Sequence, residues 1–193
     1  VSGIRIPRNI KIGGKVNFVA NRYGADILAI EGGGRVALSA VVDADKEIYR
    51  ADSRIRNLQL RHFIPTDSIR TLSGDIYIEG KGFDVLSPRC RIYSKARVGQ
   101  FGYGKYIFHG FGWNGILKNN FLSMNLFFND RQLVMKGNVS GRFSHNGITA
   151  QVNMNMPRAD LCSMGFSQTP LMISGQFDLA LASTLQVSYS IKG

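Results

Sequence analysis

The chain has 193 residues, 24 Lys and Arg against 13 Asp and Glu, a formal net charge of +11 and a hydrophobic fraction of 44%. That much apolar content supports a packed core and excludes a chain held unfolded by its charge. No run of about 18 apolar residues occurs, so the sequence offers no membrane-spanning helix, and the basic excess favours anionic partners such as phospholipid headgroups, nucleic acid or acidic glycans.

In chain order, two-residue periodicity dominates, and successive side chains of a strand point to opposite faces. Val36, Leu38, Ala40 and Val42 share one face of a first run, although Val41 blurs the other. Asp75 to Glu79 is a short copy bracketed by Gly74 and Gly80. Leu122, Met124, Leu126 and Phe128 follow, then Ile148, Ala150, Val152, Met154 and Met156 set against Thr149, Gln151, Asn153 and Asn155. Phe177, Leu179 and Leu181 repeat the pattern, and so do Leu185, Val187, Tyr189 and Ile191. Asn119-Asn120, Asn129-Asp130-Arg131 and His145-Asn146-Gly147 read as hairpin connections, with Asn-Gly favouring the positive φ angles of a type I′ turn. Helical signal is confined to single turns near Asp67–Leu72 and Asp160–Gly165. The expectation is a mainly β chain, 1–193, forming one long antiparallel meander. It opens on Val1-Ser2-Gly3 and closes within an alternating run, which reads as an internal segment of a larger protein.

An internal repeat is indicated. Leu60, Ser73 and Gly74 recur 101 residues later as Leu161, Ser174 and Gly175, giving two related β units at about 35–84 and 136–185.

No catalytic set emerges. His62, His109 and His145 are scattered and lack metalloprotease spacing. There is no G-x-S-x-G elbow, and Asp43, Asp45 and Glu47 read as a solvated turn. Cys90 and Cys162 lack C-x-x-C spacing and leave a disulfide and two thiols equally open. Gly110 to Gly115 matches G-x-G-x-x-G, but strand-like sequence follows where a dinucleotide site needs a helix. These glycines instead suit a sharp bend or close backbone approach. Aromatics from Phe101 to Trp113, interleaved with Lys105, fit cross-strand packing or base stacking. No metal, cofactor or enzymatic activity is expected.

Ile55-Arg56-Asn57-Leu58-Gln59-Leu60, Leu72-Ser73-Gly74-Asp75-Ile76-Tyr77-Ile78-Glu79-Gly80-Lys81-Gly82-Phe83-Asp84, Ala159-Asp160-Leu161-Cys162-Ser163-Met164-Gly165 and Pro170 to Phe177 carry a resemblance. The stretch from Tyr49 to Ser183 resembles the repeated unit of AsmA-like envelope proteins, of the Bacteroidota-type TamB-like kind. The second unit departs from the pattern, ending in Leu179-Ala180-Leu181-Ala182-Ser183 without the glycine-rich tail of the first. The resemblance implies a long sheet folded into an open U with an apolar groove, in a periplasmic protein anchored in the inner membrane of a Gram-negative bacterium. It implies a role in phospholipid transport between the membranes or in outer-membrane protein assembly, and a BamA-like outer-membrane barrel as partner of the parent protein.

An alternating sheet must cover its apolar face. Acyl chains would make it a lipid groove, and a second sheet a closed β-sandwich serving as scaffold or adhesion module. A nucleic-acid-binding β domain is a third reading. The first leads, with Leu122, Met124, Leu126, Phe128, Ile148, Val152, Met154, Val187 and Tyr189 as groove lining, phospholipid or another acyl-chain compound as ligand, and no nucleic acid.

Overall fold

A computed structural model describes residues 5–64, 68–183 and 187–192. Twelve strands follow one another: β1 Lys11–Val19, β2 Arg22–Glu31, β3 Gly34–Asp43, β4 Ile48–Gln59, β5 Ile69–Lys81, β6 Arg91–Tyr103, β7 Tyr106–Lys118, β8 Phe121–Asn129, β9 Leu133–Ser144, β10 Gly147–Asp160, β11 Met172–Ser183 and β12 Val187–Lys192. Each pairs antiparallel with the next, in the order β1 to β12, as one sheet that does not close into a barrel. Among the described residues there is no second sheet, so the open form of the two expected architectures is the one adopted. The only helical turn in the described chain is a 3-10 segment at Leu60–His62.

Register settles the polarity of the whole sheet, because directly opposed residues share a face. One row passes through Val16, Ala25, Ala40, Ala51, Ile78, Ser94, Gly115, Met124, Val139, Val152 and Leu179, with a single hydroxyl. The neighbouring row, one residue along, passes through Lys15, Asp26, Ser39, Asp52, Tyr77, Lys95, Asn114, Asn125, Asn138, Asn153 and Asp178, and is polar throughout. A one-residue slip anywhere would invert a strand against this pattern. Side-chain hydrogen bonds reinforce the register: Asn125 Nδ2 donates to Asn114 Oδ1 at 3.2 Å, and Asn138 Nδ2 donates to Asn125 Oδ1 at 3.3 Å.

The strand ends form two rims. The first carries the β1–β2, β3–β4, β5–β6, β7–β8 and β9–β10 connections, and the second carries β2–β3, β4–β5, β6–β7, β8–β9 and β10–β11. Asn119 and Asn120 take φ +52° and +59°, the type I′ geometry that suits a two-residue hairpin. Asn146 does not have positive φ; the I′ turn falls at Asn119-Asn120 and not at the Asn-Gly pair, whose Gly147 is already the first residue of β10. The expected turn at Asp67–Leu72 is also corrected: Ile69 to Leu72 belong to β5, where pairing with β4 and β6 outweighs local preference, and Asp67 lies outside the described residues. Asp160–Gly165 is a turn, with Met164 N–H bonded to the Asp160 carbonyl.

A line of irregularities crosses the sheet toward the second rim. Register shifts between Ile55 and Leu58 in β4, between Ser73 and Gly74 opposite Gly99, and between Met156 and Ala159 in β10. Asn57 (φ +51°) and Gly110 (φ +64°) lie on the same line. Bulges bend strands and increase twist. Beyond them, Phe108, Ala159 and Met164 are buried against Phe101, Tyr103, Tyr106, Phe128, Leu133, Met156 and Leu161. The β10–β11 connection supplies Met164 and Phe166, whose ring lies 5.9 Å from that of Tyr103. It thus lies over the second-rim end of the apolar face.

The β4–β5 and β10–β11 hairpins share their register residue for residue at a spacing of 101. Ile55↔Gly74 and Leu58↔Leu72 correspond to Met156↔Gly175 and Ala159↔Ile173, and the bulge falls between the same two pairs.

The glycine-rich stretch Gly110 to Gly115 lies inside β7. A Cβ on Gly112 would stand 2.6 Å from the Ala96 carbonyl oxygen and 2.4 Å from the Phe127 ring. Gly112→Val is therefore expected to cost about 1–3 kcal/mol through overpacking, read as a lowered urea midpoint, whereas Ile116→Thr at an exposed position of the same strand should change it little.

Candidate functional site: an uncovered apolar face

The molecule exposes 13272 Å² for a mass of 21.3 kDa, whereas a compact monomer of that mass exposes roughly 9,100 Å². The excess lies in a sheet with one layer. Its deeply buried apolar residues are few: Ile55, Cys90, Ala96, Val98, Phe108, Leu117, Ala159 and Met164. The apolar face is half-buried by neighbouring side chains and by the bend of the strands; it is covered at the second rim by the β10–β11 connection, and at the first by the β5–β6 connection, where Phe83 stacks on Tyr49 at 5.8 Å and Cys90 and Leu117 are buried.

The proposed lining residues gather on this face. Leu122, Met124, Leu126 and Phe128 of β8 oppose Gly141, Val139, Gly137 and Met135 of β9. Ile148, Val152 and Met154 of β10 oppose Phe143, Val139 and Gly137 on one side and Ser183, Leu179 and Phe177 on the other. Val187 and Tyr189 hold the equivalent positions of β12, opposite Ser183 and Leu181; their side chains lie outside the described residues. Exposure reaches 44% at Ile148 and 41% at Leu181 toward the β12 edge, and 72% at Val16 on β1. Phe128 belongs partly to the second-rim cluster, stacking on Phe111 at 4.4 Å.

The sequence reading did not extend the strip to β1–β7. Val36, Ala51, Ile76, Ile92 and Trp113 continue it across the sheet. Alternation at Val36–Val42 and Asp75–Glu79 is legible in the sequence, the runs of β6 and β7 are broken by glycine, serine and bulges, and register brings all of them into one line. Phe101 to Trp113 form the β6–β7 hairpin, and its rings pack on one another, Tyr106 on Phe108 at 4.8 Å and Phe111 by Trp113 at 5.9 Å. This is the cross-strand packing that alternation allows. One surface depression, about 890 Å³, is lined on β1–β4 by Lys11, Asp26, Arg50 and Arg54 together with Ile12, Leu28 and Ile30.

Polar groups lock the second rim. Asp130, 5% exposed, accepts from Tyr106 Oη at 2.5 Å and from the His109 and Gln132 N–H groups at 2.8 Å each. His109 Nδ1 stands 3.4 Å from Asp130 Oδ2, the oxygen that its own N–H also bonds. Burial, the largest influence, pushes the Asp130 carboxyl up, but the hydrogen bonds from Tyr106, Gln132 and His109 outweigh it and hold it below 3.8. Burial and then the bond to Asp130 push Tyr106 up to about 12. Tyr106 stays protonated and donates, so the cluster fastens a turn. His62 bonds Glu31 at 2.7 Å on the same rim. Cys90 and Cys162 are free thiols, on the first and second rims. Among the described residues no group of three or more His, Cys, Asp or Glu gathers as metal ligands.

The class that the fold defines is an open, single-layer antiparallel sheet with one apolar face. No family model matches the chain, and no curated protein or solved structure matches it.

Two outcomes follow. Val152→Asp places an unpaired charge among Val139 and Leu179 and should abolish binding of an apolar fluorescent dye to the sheet, while Asn153→Asp on the polar face should leave dye binding intact. Asp130 has a lowered folded pKa, so its contribution is present above pH 3.8 and disappears as pH falls through the folded value. Asp130→Asn should lower stability near neutrality by about 1–3 kcal/mol and flatten the acid limb, as seen from urea midpoints measured near pH 7 and near pH 3.

Proposed function

We propose that this chain is a groove segment of an AsmA-like or TamB-like envelope protein, holding phospholipid acyl chains on its apolar face in passage between inner and outer membranes. The observation that carries this reading is an apolar strip running across the strands of a single sheet with no protein layer over most of it. In water such a strip needs cover, and each methylene laid on it gains roughly 0.8 kcal/mol. Flexible Met124, Met135 and Met154 on β8–β10 suit a lining that adapts to chains of varied shape. No bond is made or broken: the side chains solvate acyl groups, and headgroups stay in water at the seam. In the parent protein the segment would sit in the periplasm, tethered to the inner membrane, with a BamA-like barrel as the outer-membrane partner. Help in outer-membrane protein assembly would use the same face to shelter apolar strands.

Organic extraction of the purified protein with mass spectrometry of the extract tests this. Phospholipid or fatty acid should come out in stoichiometric amount. A clean extract from folded protein that also takes up no lipid from vesicles would overturn the reading.

A further inference from the structure

The last positions of the strands at the first rim form a row on the polar face. Lys81 opposes Arg91, Arg91 opposes Lys118, Lys118 opposes Phe121, and Phe121 opposes Arg142. Lys81 ends β5, Arg91 begins β6 and Lys118 ends β7, so three cations are direct neighbours across three strands. Like charges directly opposed destabilise a sheet. Elsewhere on this face some cations are paired, Arg22 with Asp43, Arg50 with Asp52 and Arg56 with Asp75, while Arg35, Arg54, Lys95 and Arg97 enter no ion pair with the described residues. Among the described residues, Lys81, Arg91, Lys118 and Arg142 enter no ion pair. Of the acids on the same rim, Asp43 holds Arg22 and Lys46, Asp45 accepts from Asn21 and Asp84 accepts from the Leu86 N–H, while Glu47, whose neighbour Ile48 opposes Lys81, enters no ion pair with the described residues. Arg142 lies over the Phe121 ring at 5.9 Å. At a strand spacing of about 4.8 Å the row spans about 19 Å.

One residue inward, on the other face, lies the row Gly80, Ile92, Leu117, Leu122 and Gly141. Uncompensated cations therefore stand at the strand ends where the apolar strip begins. Lysine and arginine stems are long enough to lean over such an edge while their heads stay in water. We infer that Lys81, Arg91, Lys118 and Arg142 form the headgroup site for a net-anionic phospholipid whose acyl chains lie on the apolar face. This rests on the groove reading and adds to it a headgroup charge and the rim at which that headgroup sits.

The test loads the 193-residue protein from vesicles of equimolar phosphatidylglycerol and phosphatidylcholine, separates it at high salt, and quantifies bound lipid. The native protein should be enriched in phosphatidylglycerol by roughly tenfold, the effect of one charge-assisted contact. Lys81→Glu/Lys118→Glu should lose the enrichment and keep the total lipid load. Lys11→Glu/Lys15→Glu, the same charge change on β1, should keep both. Lipid bound without enrichment, or enrichment lost equally in both variants, would overturn the site while leaving the groove intact. Displacement of the bound lipid by free glycerol phosphate would make the row a soluble-anion site and overturn the lipid assignment. No lipid of either kind on folded protein would overturn the groove reading and the site together.

Discussion

One unmet requirement organises this molecule: an apolar sheet face that its own chain does not cover. In most β proteins a second sheet meets that face. Here β1 to β12 pair in simple succession, and the apolar row from Val16 through Met124 and Val152 to Leu179 stays in one layer. Stability must then come largely from the ladder itself, from cross-strand pairs and from the polar rows behind. The asparagines at 114, 125 and 138 serve there as register pins. Exposed ion pairs such as Arg22–Asp43 contribute little each, and the weight falls on hydrogen-bonded neighbours.

The second rim is where the sheet behaves like an ordinary domain. Bulges at β4, β5–β6 and β10 bend the strands, and the β10–β11 connection lays Met164 and Phe166 against the aromatics of the β6–β7 hairpin. Asp130 fixes the adjoining turn by accepting from Tyr106, His109 and Gln132. A fully satisfied buried carboxylate rigidifies, whereas a partly satisfied one is costly. The first rim is partly covered too, by the β5–β6 connection that buries Cys90 and sets Phe83 on Tyr49, and the unpaired cations Lys81, Arg91 and Lys118 stand there. Any ligand on the apolar face meets different chemistry on its two sides.

Among the described residues, β1 and β12 each pair with a strand on one side. Every residue of β1 is exposed, and Ile12, Val16 and Phe18 on its apolar side are 67%, 72% and 64% exposed. Lys11 and Lys15 place charge along this edge, a common device against edge-to-edge association. The charge lies on the polar side only, so it discourages stacking without interrupting the apolar strip.

By itself the sequence determined the class of structure and the polarity of its best strands. Period-2 alternation in Leu122–Phe128 and Ile148–Met156 assigns those side chains to one face whatever lies opposite, because the pleat allows no other arrangement. It also identified hairpin sites such as Asn119-Asn120, where asparagine tolerates positive φ. Where the pattern is broken, as at Gly99, Gly110 and Asn57, local reading lost the strand, since a bulge shifts the phase of alternation by one residue and only the partner strand reveals it. The neighbourhood of Asp130 with Tyr106 and His109, and the row of Lys81, Arg91, Lys118 and Arg142, join residues 21 to 24 apart in the first case and strands as distant as β5 and β9 in the second. Tertiary structure alone decided these, and it alone decided that a single layer would leave the apolar face open, because alternation is the same whether a sheet is covered by another sheet or by something the chain does not supply.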